Sequence, residues 1–233
     1  MSSKGEQAAE AVRTLPRGRH KLSREDVRAS QRARLVGAML EQVGARGYEA
    51  TRVSDVVAAA RVSRNAFYEQ FEDRQDCLIA ACDEVATELL DSFYALADAP
   101  TWTDAVARGL DLYLESWARR PGFTVAYLVE LPTAGRRAIA QRDRAYERFE
   151  RMFEVVAARA RVEQPGLPPL PRLAPRILVT AITELLAAEA RAGRAGELRS
   201  LRDELLSFIV STLADDVTAA ALARKSTGSA SAC

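Results

Sequence analysis

Apolar residues along most of this chain recur every three or four positions, the spacing of a single buried helical face, and seldom alternate. From Ser23, a residue suited to an N-cap with Glu25 and Asp26 in the turn behind it, the pattern predicts a helix. It carries Val36, Met39, Leu40 and Val43 on one face and is expected to end at Gly44 and Gly47. Val53, Val56, Val57 and Ala60 repeat at i, i+3, i+4 and i+7 behind Thr51, which is read as the N-cap of a short second helix. After a tight connection at Arg61-Val62, Ser63 is placed to cap a two-turn helix over residues 64–71. Phe67 and Phe71 share one face of it, and Arg64, Asn65 and Tyr68 the other. Asp73, with Asp76 three residues on in the manner of a capping box, starts a longer helix. This helix runs through Leu78, Ala81, Cys82, Val85 and Leu89 to about Leu96, and Pro100 closes the segment.

The second half continues in helical spacing. Val106, Leu110, Tyr113, Leu114 and Trp117 form a stripe ended by Pro121-Gly122. Phe123, Tyr127, Leu128 and Leu131 make a shorter piece before Pro132, and Ile139, Tyr146, Phe149, Phe153 and Val156 line a long helix before the proline-rich loop 164–171. Two helices remain, at about 173–192 with Ile177, Ala181, Leu185 and Ala188, and at about 197–222 with Leu201, Leu205, Phe208 and Thr212. Leu178, Ile182, Leu186, Ile209 and Leu213 flank these stripes, and an apolar face so wide exceeds what one core requires. An interface between copies and a wholly intramolecular core are both open on this pattern. Glycine and proline cluster at boundaries and do not punctuate short strands, so the fold class expected is all-α. The chain of 233 residues is long enough for a small N-terminal unit and a larger bundle.

Charge adds a direction to this picture. The net charge is only +1, but residues 1–74 carry fourteen Lys/Arg against ten Asp/Glu, while the remainder carries nineteen against twenty-two. The positive charge therefore coincides with the short helices, as expected of a nucleic-acid footprint. A helix over 64–71 with so few apolar residues cannot stand alone, and its polar side carries donors suited to a major groove. Arg64 and Asn65 are the candidates for base edges, since Arg suits guanine and Asn suits adenine. Thr51, Arg52, Ser63, Tyr68, Gln70 and Arg74 are the candidates for phosphate contact, and Arg28, Arg32 and Arg34 form a basic face on the first helix. Residues 1–22, with Arg13, Arg17, Arg19, His20 and Lys21, read as a flexible basic arm, either a solvated tail or a strand that tracks DNA. Residues 223–233 read as a disordered tail.

The spacing from Gly47 to Leu78 resembles the DNA-binding segment of the TetR/AcrR family of bacterial regulators. The family pattern is met without gaps at Gly47, Tyr48, Thr51, Val53, Asp55, Ala60, Val62, Ser63, Tyr68, Phe71 and Leu78, with conservative stand-ins at Val56, Phe67 and Arg74. Arg61 stands where the family has a turn glycine, Asn65 and Ala66 replace a Gly-Thr pair, and Gln70 replaces a histidine. The resemblance implies a helix-turn-helix unit over 23–84 and a ligand-binding and dimerisation unit over 85–222. It also implies a homodimer formed through the last two helices, a double-stranded DNA operator as partner, and release by a small effector. A repressor is the expected reading, and a helical protein-interaction adaptor with degenerate DNA contacts is the alternative.

Other chemistries find little support. His20 is the single histidine, so His-based catalysis and His-ligated metal sites are excluded, and neither a metal, a cofactor nor an enzymatic activity is expected. Cys77, Cys82 and Cys233 offer no disulfide framework, no apolar run approaches a membrane span, and no hydrophobic signal segment opens the chain, so a cytoplasmic location is expected. Trp102, Tyr113, Trp117, Phe123, Tyr127, Phe149 and Phe153 concentrate aromatic side chains in the second half. They serve either as core or as the wall of an apolar effector pocket, with tyrosine hydroxyls, Arg120 or Glu130 supplying polar contacts.

Overall fold

The computed structural model describes residues 23–214, and among these no strand occurs. The helix α1 (Arg24–Arg46) starts at the N-cap expected, Ser23, and the cap is a reciprocal box: its Oγ accepts from the Asp26 N–H at 3.0 Å, and Asp26 Oδ2 accepts from the Ser23 N–H at 3.0 Å. Leu35, Met39, Leu40 and Val43 are buried along one side. Gly44 does not end the helix. It lies inside α1 because the backbone of Gly122 packs against it, and a Cβ built at Gly44 would fall 2.0 Å from the Gly122 carbonyl oxygen. Termination falls to Gly47 alone, at φ 82°.

The next two helices are α2 (Val53–Ala60) and α3 (Arg64–Tyr68), joined through Arg61, which adopts the left-handed conformation at φ 53°. Among the described residues Arg61 is the one non-glycine with positive φ, and it occupies the αL position that usually follows a helix end. Arg34 of α1 supports the turn by donating from Nη1 to the Ala60 and Arg61 carbonyls at 3.2 and 3.3 Å. The helix expected over 64–71 closes at Tyr68, because Phe71 turns in beside Phe67 with ring centroids 5.5 Å apart and both rings are buried. The helix α4 (Arg74–Tyr94) begins at Asp73, whose side chain accepts from the Asp76 N–H at 2.7 Å. It spans the unit boundary expected near residue 84, so the two halves share one rigid rod.

The larger half comprises α5 (Trp102–Ala118), the one-turn α6 (Pro121–Thr124), α7 (Arg136–Glu163), α8 (Ala174–Arg191) and α9 (Arg202–Leu213). Between α6 and α7 the coil first widens into a π-helical turn, Val125–Glu130, and then tightens into a 3-10 turn, Leu131–Ala134, where Pro132 removes a backbone donor. A second 3-10 stretch, Ala195–Leu201, precedes α9, so the helix expected from 197 starts five residues later. The part of that expectation beyond 214, like the arm over 1–22 and the tail over 223–233, lies outside the described residues.

The α4 rod is fixed to α7 by a polar knot. Arg148 donates to Asp83 Oδ1 at 2.7 Å and to Thr87 Oγ1 at 3.0 Å, while Gln141 donates to the same Asp83 oxygen at 2.7 Å. Nearer the short helices, Arg137 bridges the first turn of α4 through Asp73 at 3.0 Å and Asp76 at 3.6 Å. No helix among the described residues is long and apolar enough to cross a membrane.

Candidate DNA-reading face and ligand cavity

Helix α3 owes its exposed side to its buried one. Ala66 and Phe67 sit under α1 and α2, which turns Arg64, Asn65 and Tyr68 outward. Ser63 Oγ accepts from the Ala66 N–H at 3.1 Å and fixes the start of the helix. Arg64 leans over the Tyr68 ring one turn on, with its guanidinium carbon 5.7 Å from the ring centroid, so two exposed groups hold each other in place. Gln70 is half-buried with Nε2 3.5 Å from the Ala66 carbonyl. Ser63, Arg64, Asn65 and Tyr68 thus lie exposed along α3 and its cap, and Arg52 is exposed at the start of α2.

Two expected members of this surface are engaged elsewhere. Thr51 is fully buried and does not cap α2; its hydroxyl donates to the Gly47 carbonyl at 2.8 Å, while Asp55 Oδ2 accepts from the Arg52 N–H at 2.9 Å at the helix start. Arg74 folds back on the Tyr48–Thr51 loop. It donates to the carbonyls of Tyr48 at 2.9 Å, Glu49 at 3.3 Å and Thr51, with its guanidinium 4.0 Å above the Tyr48 ring. The basic face of α1 is spent in the same way: Arg28 donates to the Glu69 carbonyl at 2.9 Å, Arg34 closes α2, and Arg32 pairs with Glu84 at 3.0 Å. Arg28, Arg34 and Arg74 satisfy backbone carbonyls at or beside helix ends, whereas Arg32 is held by a carboxylate.

In the larger half, α5, α7, α8 and α9, together with the end of α4, line a partly open cavity of about 220 Å³. Five of the seven aromatics expected there line it: Tyr113, Trp117, Tyr127, Phe149 and Phe153. Trp102 does not. It is buried at the first turn of α5, where its backbone N–H donates to Glu163 Oε2 at 3.0 Å. Phe123 faces a separate, more polar recess beside Glu88 and Arg119, with Arg120 5.2 Å from its ring centroid. Neither Arg120 nor Glu130 reaches the cavity. Phe93, Tyr146 and Thr183 do, and they add to its wall. Tyr146 already stood in the apolar stripe of its helix, whereas Phe93 continues the α4 repeat four residues after Leu89.

The rings pack around Tyr113, with Trp117 and Phe149 edge to face at centroid distances of 5.8 and 6.4 Å and Phe93 tilted at 6.1 Å. Burial pushes the Tyr113 phenol up to about 12 and that of Tyr127 well above its ordinary value, so both remain neutral donors. Cys77 and Cys82 are buried and their thiols are pushed up by desolvation, which makes them packing groups and not nucleophiles.

The profile of bacterial regulatory proteins of the tetR family matches residues 35–81, the stretch that holds α2, α3 and the start of α4. Residues 35–81 are thus a DNA-binding segment of the TetR family. That segment is the DNA-binding part of bacterial transcription regulators. Among solved structures 128 chains match, and TetR-type regulators recur among them. FadR from Bacillus subtilis, in complex with stearoyl-CoA, superposes with a TM-score of 0.69 at 16% identity, over 77% of this chain and 98% of that one. FadR from Bacillus halodurans gives 0.69 at 14%, over 76% and 97%. GusR from Salmonella enterica gives 0.66 at 15%, over 83% and 99%. At these identities the likeness is one of fold. No curated protein matches the chain by sequence.

Proposed function

We propose that this TetR-family chain is a cytoplasmic, ligand-responsive repressor that binds a palindromic operator as a homodimer and leaves it when a small hydrophobic effector enters the aromatic cavity. Arg64 and Asn65 are assigned to base edges in the major groove, and Arg52, Ser63, Tyr68 and Gln70 to the flanking phosphates. The half-buried Gln70 stands at the rim of that set. Thr51 and Arg74 are assigned to holding the loop that positions α2.

The observation that carries the reading is the continuity between cavity and DNA-reading unit. Tyr127 lines the cavity, and three residues on, at the end of the same π-helical turn, Glu130 Oε2 accepts from the Tyr48 N–H at 2.8 Å. Tyr48 in turn carries one of the carbonyls that hold Arg74 at the head of α4. An effector that displaces Tyr127 therefore pulls on the loop under α2, and a ligand with different affinities for two spacings of the reading heads shifts the population between them. Dimerisation is assigned to the outer face of α8 and α9, where Ile177, Leu185 and Phe208 are exposed.

The test is fluorescence-anisotropy titration of DNA from upstream of the gene against a scrambled fragment, at about 50 and about 200 mM salt. A preference of about 10³ or more that survives the higher salt supports a specific regulator. Equal binding to both fragments, erased by salt, overturns the operator reading and favours a helical adaptor that binds protein.

A further inference from the structure

We propose that the cavity selects an uncharged ligand, and that Glu163, which does not line it, sets this selectivity by neutralising Arg159. The inference rests on the effector reading above and names the chemistry of the molecule that the site takes.

Among the described residues lining the cavity, Arg159 is the one that carries a formal charge, and there is no carboxylate. All three nitrogens of its guanidinium are engaged by protein acceptors: Nε by Glu163 Oε1 at 2.6 Å, Nη1 by the Ala97 carbonyl at 3.0 Å, and Nη2 by the Ala99 carbonyl. The Glu163 carboxylate is itself fixed from a second side, because Oε2 accepts from the Trp102 N–H at the start of α5. Arg159 is thus clamped between the end of α4, the start of α5 and its own helix. Two of its five N–H groups remain, but they belong to a cation whose charge the Glu163 carboxylate already balances. A carboxylate, sulfonate or phosphate entering among the rings would lose its hydration with no free cation to meet it, and that desolvation is costly.

The polar groups that remain are neutral. The Thr183 hydroxyl stands beside the phenols of Tyr113 and Tyr146. The indole Nε1 of Trp117 is buried near the Tyr113 hydroxyl without a hydrogen bond of ordinary geometry. Donors of this kind in an aromatic wall fit a ligand with a flat apolar body and one neutral acceptor, such as a carbonyl or ether oxygen.

Two probes with one ring skeleton test this on the full-length protein. N-phenyl-1-naphthylamine is uncharged, and 8-anilino-1-naphthalenesulfonate adds a sulfonate to the same frame. Titration followed by probe emission is expected to give at least about tenfold tighter binding of the neutral probe, a factor that corresponds to about 1.4 kcal/mol. Ala105→Phe, which puts a ring into the cavity from α5, is expected to abolish that binding and so locate it. Glu163→Gln, whose amide oxygen still accepts from Trp102, frees the charge on Arg159 and is expected to close most of the gap between the probes. Equal affinities in the unmodified protein overturn the proposal, as does binding of neither probe. A gap that Glu163→Gln leaves untouched, or neutral binding that Ala105→Phe does not weaken, overturns it also. Adding the neutral probe to the DNA titration separates the two readings: selective binding that leaves operator affinity unchanged sinks the effector role while the cavity chemistry stands.

Discussion

Arginine 64 and arginine 74 look alike in the sequence, since both flank the short helices and both are polar positions beside apolar ones. In the structure the first is free to read and the second is already bonded. Arg64→Ala is expected to cost about 1 to 3 kcal/mol on the operator and to relax sequence preference at one position, measured by titrating a panel of single-base operator variants. Arg74→Ala removes a charged donor to three carbonyls, so it is expected to lower the unfolding free energy by about 1.5 to 3 kcal/mol in chemical denaturation, with any loss of DNA binding following from that. Spacing cannot separate the two cases. A long side chain at a helix end reaches either a phosphate or the open carbonyls of a neighbouring helix, and only the packing of three helices decides which. The same ambiguity covers Arg28 and Arg34. Thr51 and Trp102 misled for a related reason: each is of a type suited to the expected role, yet each sits one shell beneath the surface or cavity it was expected to line.

At the scale of elements, periodicity was informative wherever one face is buried. The bounds of α8, expected at about 173–192 and found at Ala174–Arg191, follow directly from it. What periodicity could not express is a change of helical pitch. The piece holding Phe123, Tyr127 and Leu131 reads as a simple short helix, but it is three kinds of turn in succession, α6, a π-helical turn and a 3-10 turn. That change of pitch puts Tyr127 into the cavity while Glu130 reaches Tyr48. Glu130→Ala is therefore expected to leave probe binding in the cavity intact while reducing its linkage to DNA release. The coupling free energy, obtained from operator affinities with and without ligand, should fall by an amount on the order of 1 kcal/mol. An unchanged coupling would show that the signal travels by α4 and its Asp83–Arg148 contact instead.

For the whole molecule, the exposed apolar positions of the last two helices are the feature that a single copy leaves unexplained. Ile177 is 54% exposed, Leu185 40% and Phe208 45%, on the side of α8 and α9 opposite Leu178, Ile182 and Ile209. Ile177→Glu is expected to break the proposed dimer in sedimentation velocity without loss of helical content, and to reduce operator affinity because two half-sites would then be filled independently. Legibility was partial here too, since the sequence marked these faces as too wide for one core but could not say which side turns outward. The contact between Gly44 and Gly122 bears on the molecule as a whole, because it is where α1, against which α2 and α3 pack, rests directly on the backbone of the larger half. No side chain can stand at 44 without pushing α1 away from α6, whereas a Cβ at 122 meets nothing within 4 Å. Gly44→Ala should therefore yield a folded protein whose reading heads are displaced as though an effector were present, and Gly122→Ala should behave as the parent. Put in a geneticist's terms, a selection for cells that express the regulated genes without an inducer should return codon 44 repeatedly and leave codon 122 silent.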